Sequence, residues 1–185
     1  SSDLDSGVVS ITGGKLTTFR KMAEHTVGEV CSRLGRRVRS KSTRLPLVGG
    51  RGFDRRQLAG EHAHLAQRYG TELEAVLRIA AESPDFSRPL IDGLPYIAAE
   101  AIFAVRHEMA LTLDDVLSRR TRARIVDRRA TLASARRVAE LIGPELGWTN
   151  EELETQVRDF LDSCAREEAA GLVSEAEFLA STRQD

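Results

Sequence analysis

Signals that open helices recur along most of this chain, and they constrain its fold more than any other feature. Thr71-Glu72-Leu73-Glu74, Thr112-Leu113-Asp114-Asp115 and Thr149-Asn150-Glu151-Glu152 each place an acidic residue three positions after a threonine. In that spacing the hydroxyl and the carboxylate each accept from the other residue's backbone N–H, which satisfies donors that a helix start leaves unpaired. Ser174-Glu175-Ala176-Glu177 repeats the device for a short last helix. Around these boxes, apolar residues fall at three- and four-residue spacing, which is the mark of helices with one buried face. The pattern predicts a helix from Asp54 to about Tyr69, with Leu58, Leu65, Ala66 and Tyr69 inward, stopped by Gly70. The next presents Leu73, Val76, Leu77 and Ala80. One from about Tyr96 to Met109 turns Ile97, Ala101, Val105 and Met109 inward. A long helix from Arg124 or Asp127 to Ile142 is ended by Gly143-Pro144. A further one carries Leu153, Val157, Phe160, Leu161 and Cys164 and runs to about Ala170. The three prolines of SPDFSRPLIDGLPY interrupt regular structure. The expected fold class is mainly α.

The opening residues read differently. Val8, Val9 and Ile11 form a short β-branched run of the kind that makes a buried strand. Gly13-Gly14 breaks it, and from Lys15 the spacing becomes helical, with Phe19, Met22, Ala23, Thr26, Val27 and Val30 on one stripe. A strand passing through two glycines into a helix leaves backbone N–H groups free at a point where the helix dipole favours negative charge. Without a Cβ, the glycines let a ligand come close to the backbone. Lys15 adds a positive charge, and Thr17 and Thr18 add hydroxyls in the same turn. The stretch therefore reads as an anion or cofactor cradle, although a Gly-Gly turn between strand and helix is also a common purely structural joint. It fits neither GxxxxGK[ST] nor GxGxxG.

Leu34-Gly35 should close this first helix, with Gly35 in a left-handed cap. The following segment, GRRVRSKSTRLPLVGGRG, is basic and irregular apart from a short extended piece at Leu45 to Val48, and it marks a domain boundary. Arg33, Arg36, Arg37, Arg39, Lys41 and Arg44 have no acidic residue between them. The net charge is −1 but uneven: Lys15 to Arg56 holds twelve basic and three acidic residues, Arg106 to Arg137 nine and four, and Val138 to Asp185 three and twelve. Such asymmetry marks either a polyanion-binding surface or two segments that face each other. The overall balance argues against a nucleic-acid binder. No apolar run approaches the eighteen residues of a membrane span, and SSDLDSG lacks the basic and apolar regions of a signal peptide. Cys31 and Cys164, each in a helical pattern, are expected to be reduced and packed, which implies a cytosolic compartment. His25, His62, His64 and His107 lack the spacing of metal ligands, so no metal is expected.

Two strings carry a family resemblance. Thr12-Gly13-Gly14-Lys15-Leu16-Thr17-Thr18-Phe19-Arg20-Lys21-Met22-Ala23-Glu24 resembles the GGKLTTYRKMAE segment of FAD-dependent glycerol-3-phosphate dehydrogenases, with Phe19 where that family usually has tyrosine. The longer and more specific string from Ala104 to Arg122, AVRHEMALTLDDVLSRRTR, resembles the AVRxEMAxTLDDVLxRRTR signature of the same enzymes' C-terminal helical domain. Together they span most of Thr12 to Ala170.

The resemblance implies that residues 1–34 are the last strand and helix of a flavin-binding domain, 35–53 a basic linker, and 54–185 an all-α C-terminal cap domain. It implies that Gly13, Gly14, Lys15, Leu16, Thr17 and Thr18 face the FAD ring, and that Lys15 also lies beside the substrate as a catalytic residue. Such enzymes oxidise glycerol 3-phosphate to dihydroxyacetone phosphate, reduce bound FAD and pass the electrons to membrane quinone. The Gly-rich nucleotide-binding unit of the family is absent from this sequence, so the chain reads as a C-terminal fragment that alone neither holds FAD nor turns over substrate. A cytoplasmic enzyme, peripheral on the inner face of the membrane, would use the basic linker against an anionic surface. Quinone or oxygen as acceptor, a homo-oligomer, and the role of Arg119, Arg120 and Arg122 stay open. So do a stand-alone helical interaction module and a polyanion-binding domain, although neither accounts for both strings.

Overall fold

A computed structural model describes residues 7–171 of the chain. The chain divides into two units, Ser1–Arg51 and Gly52–Asp185. The expected helix opened by Ser174 lies outside the described residues.

In the first unit a 3₁₀ turn, Leu16–Thr18, leads into helix α1, Phe19–Arg33. On its surface Arg20 and Lys21 pair with Glu24, and Arg33 pairs with Glu29, at helical spacing. Gly35, at φ 67°, closes the helix as expected: its left-handed backbone lets the Arg36 N–H reach back to the Cys31 carbonyl at 2.8 Å. No residue of α1 is buried, and Phe19 and Val27 on its apolar stripe are exposed. The strand expected at Val8 to Ile11 does not form among the described residues; Val9 makes only an isolated bridge. A strand exists through its ladder partners, and the described residues of this unit supply no sheet for the run to join. The extended piece expected at Leu45 to Val48 is likewise irregular and enters a turn in which the Gly50 N–H bonds the Leu47 carbonyl.

Among the described residues the second unit is mainly helical, as expected. Its helices are α2 (Ala63–Tyr69), α3 (Leu73–Glu82), α4 (Ala98–His107), α5 (Ala123–Val126), α6 (Arg128–Leu146) and α7 (Asn150–Gly171), with a π-helical turn at Asp115–Arg120. α4 is the centre. One side packs Ala99, Ile102 and Phe103 against Leu65, Ala66 and Tyr69 of α2 and Leu73, Val76 and Ile79 of α3. The other packs Ala98, Ala101 and Ala104 against Val138 and Ile142 of α6, Phe160 of α7, and Leu113, Val116 and Leu117 around the π turn. The small side chains of AAEAIFAV let helices approach α4 from both sides, and a helix apolar all round belongs inside.

Several helix ends differ from expectation. The helix expected from Asp54 is broken into a 3₁₀ turn, Arg55–Ala59, and α2; Gly60 and Glu61 lie in the break, and Leu58 is exposed. Thr71 does not cap α3, because Gly70 at φ 56° leads into a 3₁₀ turn and the α-helix starts only at Leu73. The Thr112/Asp115 and Thr149/Glu152 boxes are both formed, each with two reciprocal bonds of 2.8–3.2 Å. Asp127 caps α6 by accepting from the Ala130 N–H at 2.9 Å. Pro144 does not end α6: it sits in the last turn, and the stop comes at Gly147, φ 68°, with the Trp148 N–H returning to the Gly143 carbonyl at 3.0 Å. Met109, expected inward, is 79% exposed. At φ 55° it takes the left-handed place a glycine often holds after a helix, which swings its side chain out and lets the buried Ala110 donate back to the Ala104 carbonyl.

Candidate functional site

The six residues singled out at the start of the chain occupy one exposed turn. Gly13 and Gly14 have φ of 73° and 102°, and a Cβ on Gly14 would lie 2.3 Å from the Met22 sulfur. Only glycine fits there with Met22 in place. Lys15 is extended and precedes the 3₁₀ turn; the Thr18 N–H and hydroxyl both donate to its carbonyl, at 2.9 and 2.8 Å. The turn's own bonds thus begin at Thr18, and the N–H groups of Leu16 and Thr17 lie ahead of them. Beside the turn runs a groove of about 470 Å³ walled by Gly13, Gly14, Lys15, Leu16, Phe19 and Met22. Apolar walls with backbone donors and a lysine at one end suit a flat, partly anionic ligand better than a free phosphate. Glycine-forced close approach and unpaired donors are what a flavin's pyrimidine edge would need, so the residues present fit that group.

A second cluster, in the second unit, was not foreseen. Glu100 is fully buried in α4. Its carboxylate accepts from the Ile97 N–H at 3.0 Å and from the Tyr69 hydroxyl at 3.0 Å, and pairs with Arg68 Nε at 3.0 Å. His64 Nε2 lies 3.7 Å away. The Arg68 guanidinium stands over the rings of Tyr69 and Tyr96 and also donates to the Arg120 carbonyl at 2.7 Å. Burial pushes the Glu100 carboxyl up, against the opposing pull of the Ile97 N–H and Arg68, and pushes the Tyr69 hydroxyl well up. The sequence signal was a lone acid in the otherwise apolar run YIAAEAIFAV. An acid placed inside must find partners, and the His64–Arg68–Tyr69 face of α2 supplies them. The cluster ties α2 to α4, with the Tyr69 hydroxyl and the Arg68 charge spent on the buried carboxylate, so it is a staple.

Arg119 and Arg120 of the long string have structural partners. Arg119 pairs with Asp114 and Asp115. Arg120 donates twice to the Glu108 carbonyl, at 3.0 and 2.7 Å, holding the corner where Met109 turns out. Arg122 is exposed and left-handed, at φ 59°. Within the second unit the uneven charge resolves as two facing segments: Arg106 binds Glu145, Arg124 binds Glu167 and Arg136 binds Glu154. Arg106 also reaches Glu82, and the shared guanidinium draws the Glu145 carboxyl below the usual range. Cys31 and Cys164 are both free thiols, Cys164 buried. Among the described residues no group of three His, Cys, Asp or Glu side chains is placed to hold a metal, and no helix is long and apolar enough to cross a membrane.

Comparison with known proteins follows the same outline. A family model described as the C-terminal domain of alpha-glycerophosphate oxidase matches residues 40–153. The glycerol-3-phosphate dehydrogenase of Mycobacterium leprae is 35% identical over 167 residues, covering 83% of this chain and 28% of the relative. Glycerol-3-phosphate dehydrogenase 2 of Mycobacterium tuberculosis is 33% identical over 168 residues, 84% of this chain and 29% of the relative. The mitochondrial glycerol-3-phosphate dehydrogenase of Rattus norvegicus is 34% identical over 173 residues, 83% and 24%. The chain thus spans less than a third of the length of these relatives. With the helical unit built around α4 and a family model matching from the basic segment into the start of α7, the chain belongs to the family of the C-terminal domain of alpha-glycerophosphate oxidase.

Proposed function

We propose that this chain is the C-terminal part of a flavin-dependent glycerol-3-phosphate dehydrogenase, in which residues 1–34 end the flavin domain, 35–53 link, and 54–185 form the helical cap. The observation that carries the reading is identity of 33–35% to enzymes of that name over most of the chain. In the whole enzyme FAD, when bound, would accept the hydride from glycerol 3-phosphate, and quinone would take the electrons onward. The chain's own contribution is electrostatic. The N–H groups of Leu16 and Thr17 and the α1 dipole would stabilise negative charge on the flavin's pyrimidine edge. Gly13 and Gly14 would admit the ring, and Lys15 would hold the substrate's anionic group or the charge that develops beside it. The exposed basic residues from Arg36 to Arg44 support contact with an anionic, cytoplasmic membrane face, at roughly 1 kcal/mol per residue near the surface.

The test is Lys15→Met in the longer, flavin-loaded enzyme. Turnover or flavin potential should fall while the thermal transition stays put, and wild-type kinetics would remove Lys15 from the site. Co-sedimentation of the same protein with anionic liposomes should weaken with salt, and salt-independent binding would count against the membrane reading.

A further inference from the structure

The proposed catalysis leaves the half-buried imidazole of His64 without a role. Its Nε2 is closed off from water, makes no hydrogen bond, and lies 3.7 Å from Glu100 Oε1, beyond bonding range. The ring meets Tyr96 edge-on at 5.3 Å between centroids. The charged and titratable groups that meet it or its partners come from α2, α4, the segment before α4 and the π turn. α2 contributes Arg68 and Tyr69. α4 contributes Glu100 and, farther along, His107, which lies against Phe103 and so behind Tyr69. The segment before α4 contributes Tyr96. From the π turn, Arg120 presents its carbonyl to Arg68 while its own guanidinium is engaged at Glu108. The inventory is one carboxylate and one guanidinium, and it balances only while the imidazole is neutral.

We propose that His64 makes the docking of α2 on α4 acid-sensitive, the neutral imidazole permitting the packed arrangement and the imidazolium loosening it. A second cation would enter a site whose single carboxylate already faces Arg68 Nε at 3.0 Å and accepts from Ile97 and Tyr69. Glu100 by itself would favour a charged His64, but Arg68 is the nearer partner and neutralises it. Burial, and after it the charge of Arg68, hold the imidazole below its ordinary value of 6.5. A base depressed in the folded state contributes stability that is present above its unfolded value and is lost as the pH falls from there through the folded value. Glu100 acts in the opposite sense, since burial raises its carboxyl; its stabilising share is lost as the pH rises. The His64 effect is therefore read against a variant rather than from the native chain alone. α2 has seven residues and is held through Leu65, Ala66, Tyr69 and this cluster, so local opening is within reach.

The test uses the chain as it stands and is independent of the catalytic reading. Hydrogen exchange at pH 7.5 and 5.5, corrected for the intrinsic rate, is compared between α2 and α6 in the native chain and in His64→Gln. Protection of α2 relative to α6 should fall several-fold on acidification in the native chain. In His64→Gln, where Glu100 is left to act alone, it should stay level or rise. An equal fall in both chains, or a rise in the native one, overturns the proposal. Proton NMR of the native chain gives a second reading that needs no variant: the His64 ring signal should titrate below the ordinary imidazole range, and titration above it would mean that Glu100 wins and the contact tightens in acid.

Discussion

α1 and α4 carry similar sequence credentials and have opposite environments. α1 is the longer, with a regular apolar stripe, a glycine stop and three surface ion pairs, yet none of its fifteen residues is buried. α4 is ten residues long, and seven of them, including an acid, are buried. The difference lies in what surrounds each helix. α4 has α2 and α3 on one side and α6 and the π turn on the other, so its alanines and Ile102 lose their water to close neighbours. The stripe of α1 shows an exposed Phe19 and Val27 among the described residues of its unit. An amphipathic pattern states which face would be buried; burial itself, and the roughly 25 cal/mol per Å² that goes with it, depends on another surface arriving.

Three substitutions would sharpen or break this contrast, in descending order of effect. Ile142→Ala removes a fully buried side chain that packs on the α4 side of the larger cluster. It should cost about 2–5 kcal/mol in urea unfolding, and a loss below 1 kcal/mol would mean that the core described around α4 is loose. Glu100→Ala strips the acceptor from Tyr69 and Ile97 and the counter-charge from Arg68. Because the Arg68 side chain is 24% exposed, water relieves part of its charge, and the expected loss is about 1–3 kcal/mol. Glu100→Gln, which keeps acceptor geometry, should cost less, and equal losses from the two would remove the staple from the account. Val27→Ala in α1 should change stability by no more than about 0.5 kcal/mol. A value near that of Ile142→Ala would show that α1 is packed in solution, and the comparison would fail.

The candidate cradle was legible because its ingredients are contiguous. Gly13, Gly14, Lys15, Leu16, Thr17 and Thr18 lie within one turn, so sequence neighbours are spatial neighbours, and Gly14 at φ 102° takes a backbone conformation that favours glycine. The Glu100 staple was hidden because its members are separated by up to 36 positions, His64 to Glu100, and no local rule joins them. Only the acid's apolar setting hinted that a partner was required. Met109 misled for a related reason: its spacing placed it on the inner stripe, but its helix stops two residues earlier and a left-handed turn reverses it.

By itself the sequence determined that this chain is built of helices, where two capping boxes and the Gly35 stop fall, and which faces are apolar. These follow from bonds and spacings that close within a few residues. The tertiary structure decided which apolar faces are covered, that Thr71 and Pro144 do not act as helix boundaries, and that the bases between Arg106 and Arg137 meet the acids after residue 138. Each of those outcomes turns on distance between residues far apart in the chain. Burial, ion pairing and the competition between alternative caps are settled by packing, where a few kilocalories from a neighbouring helix exceed any local preference.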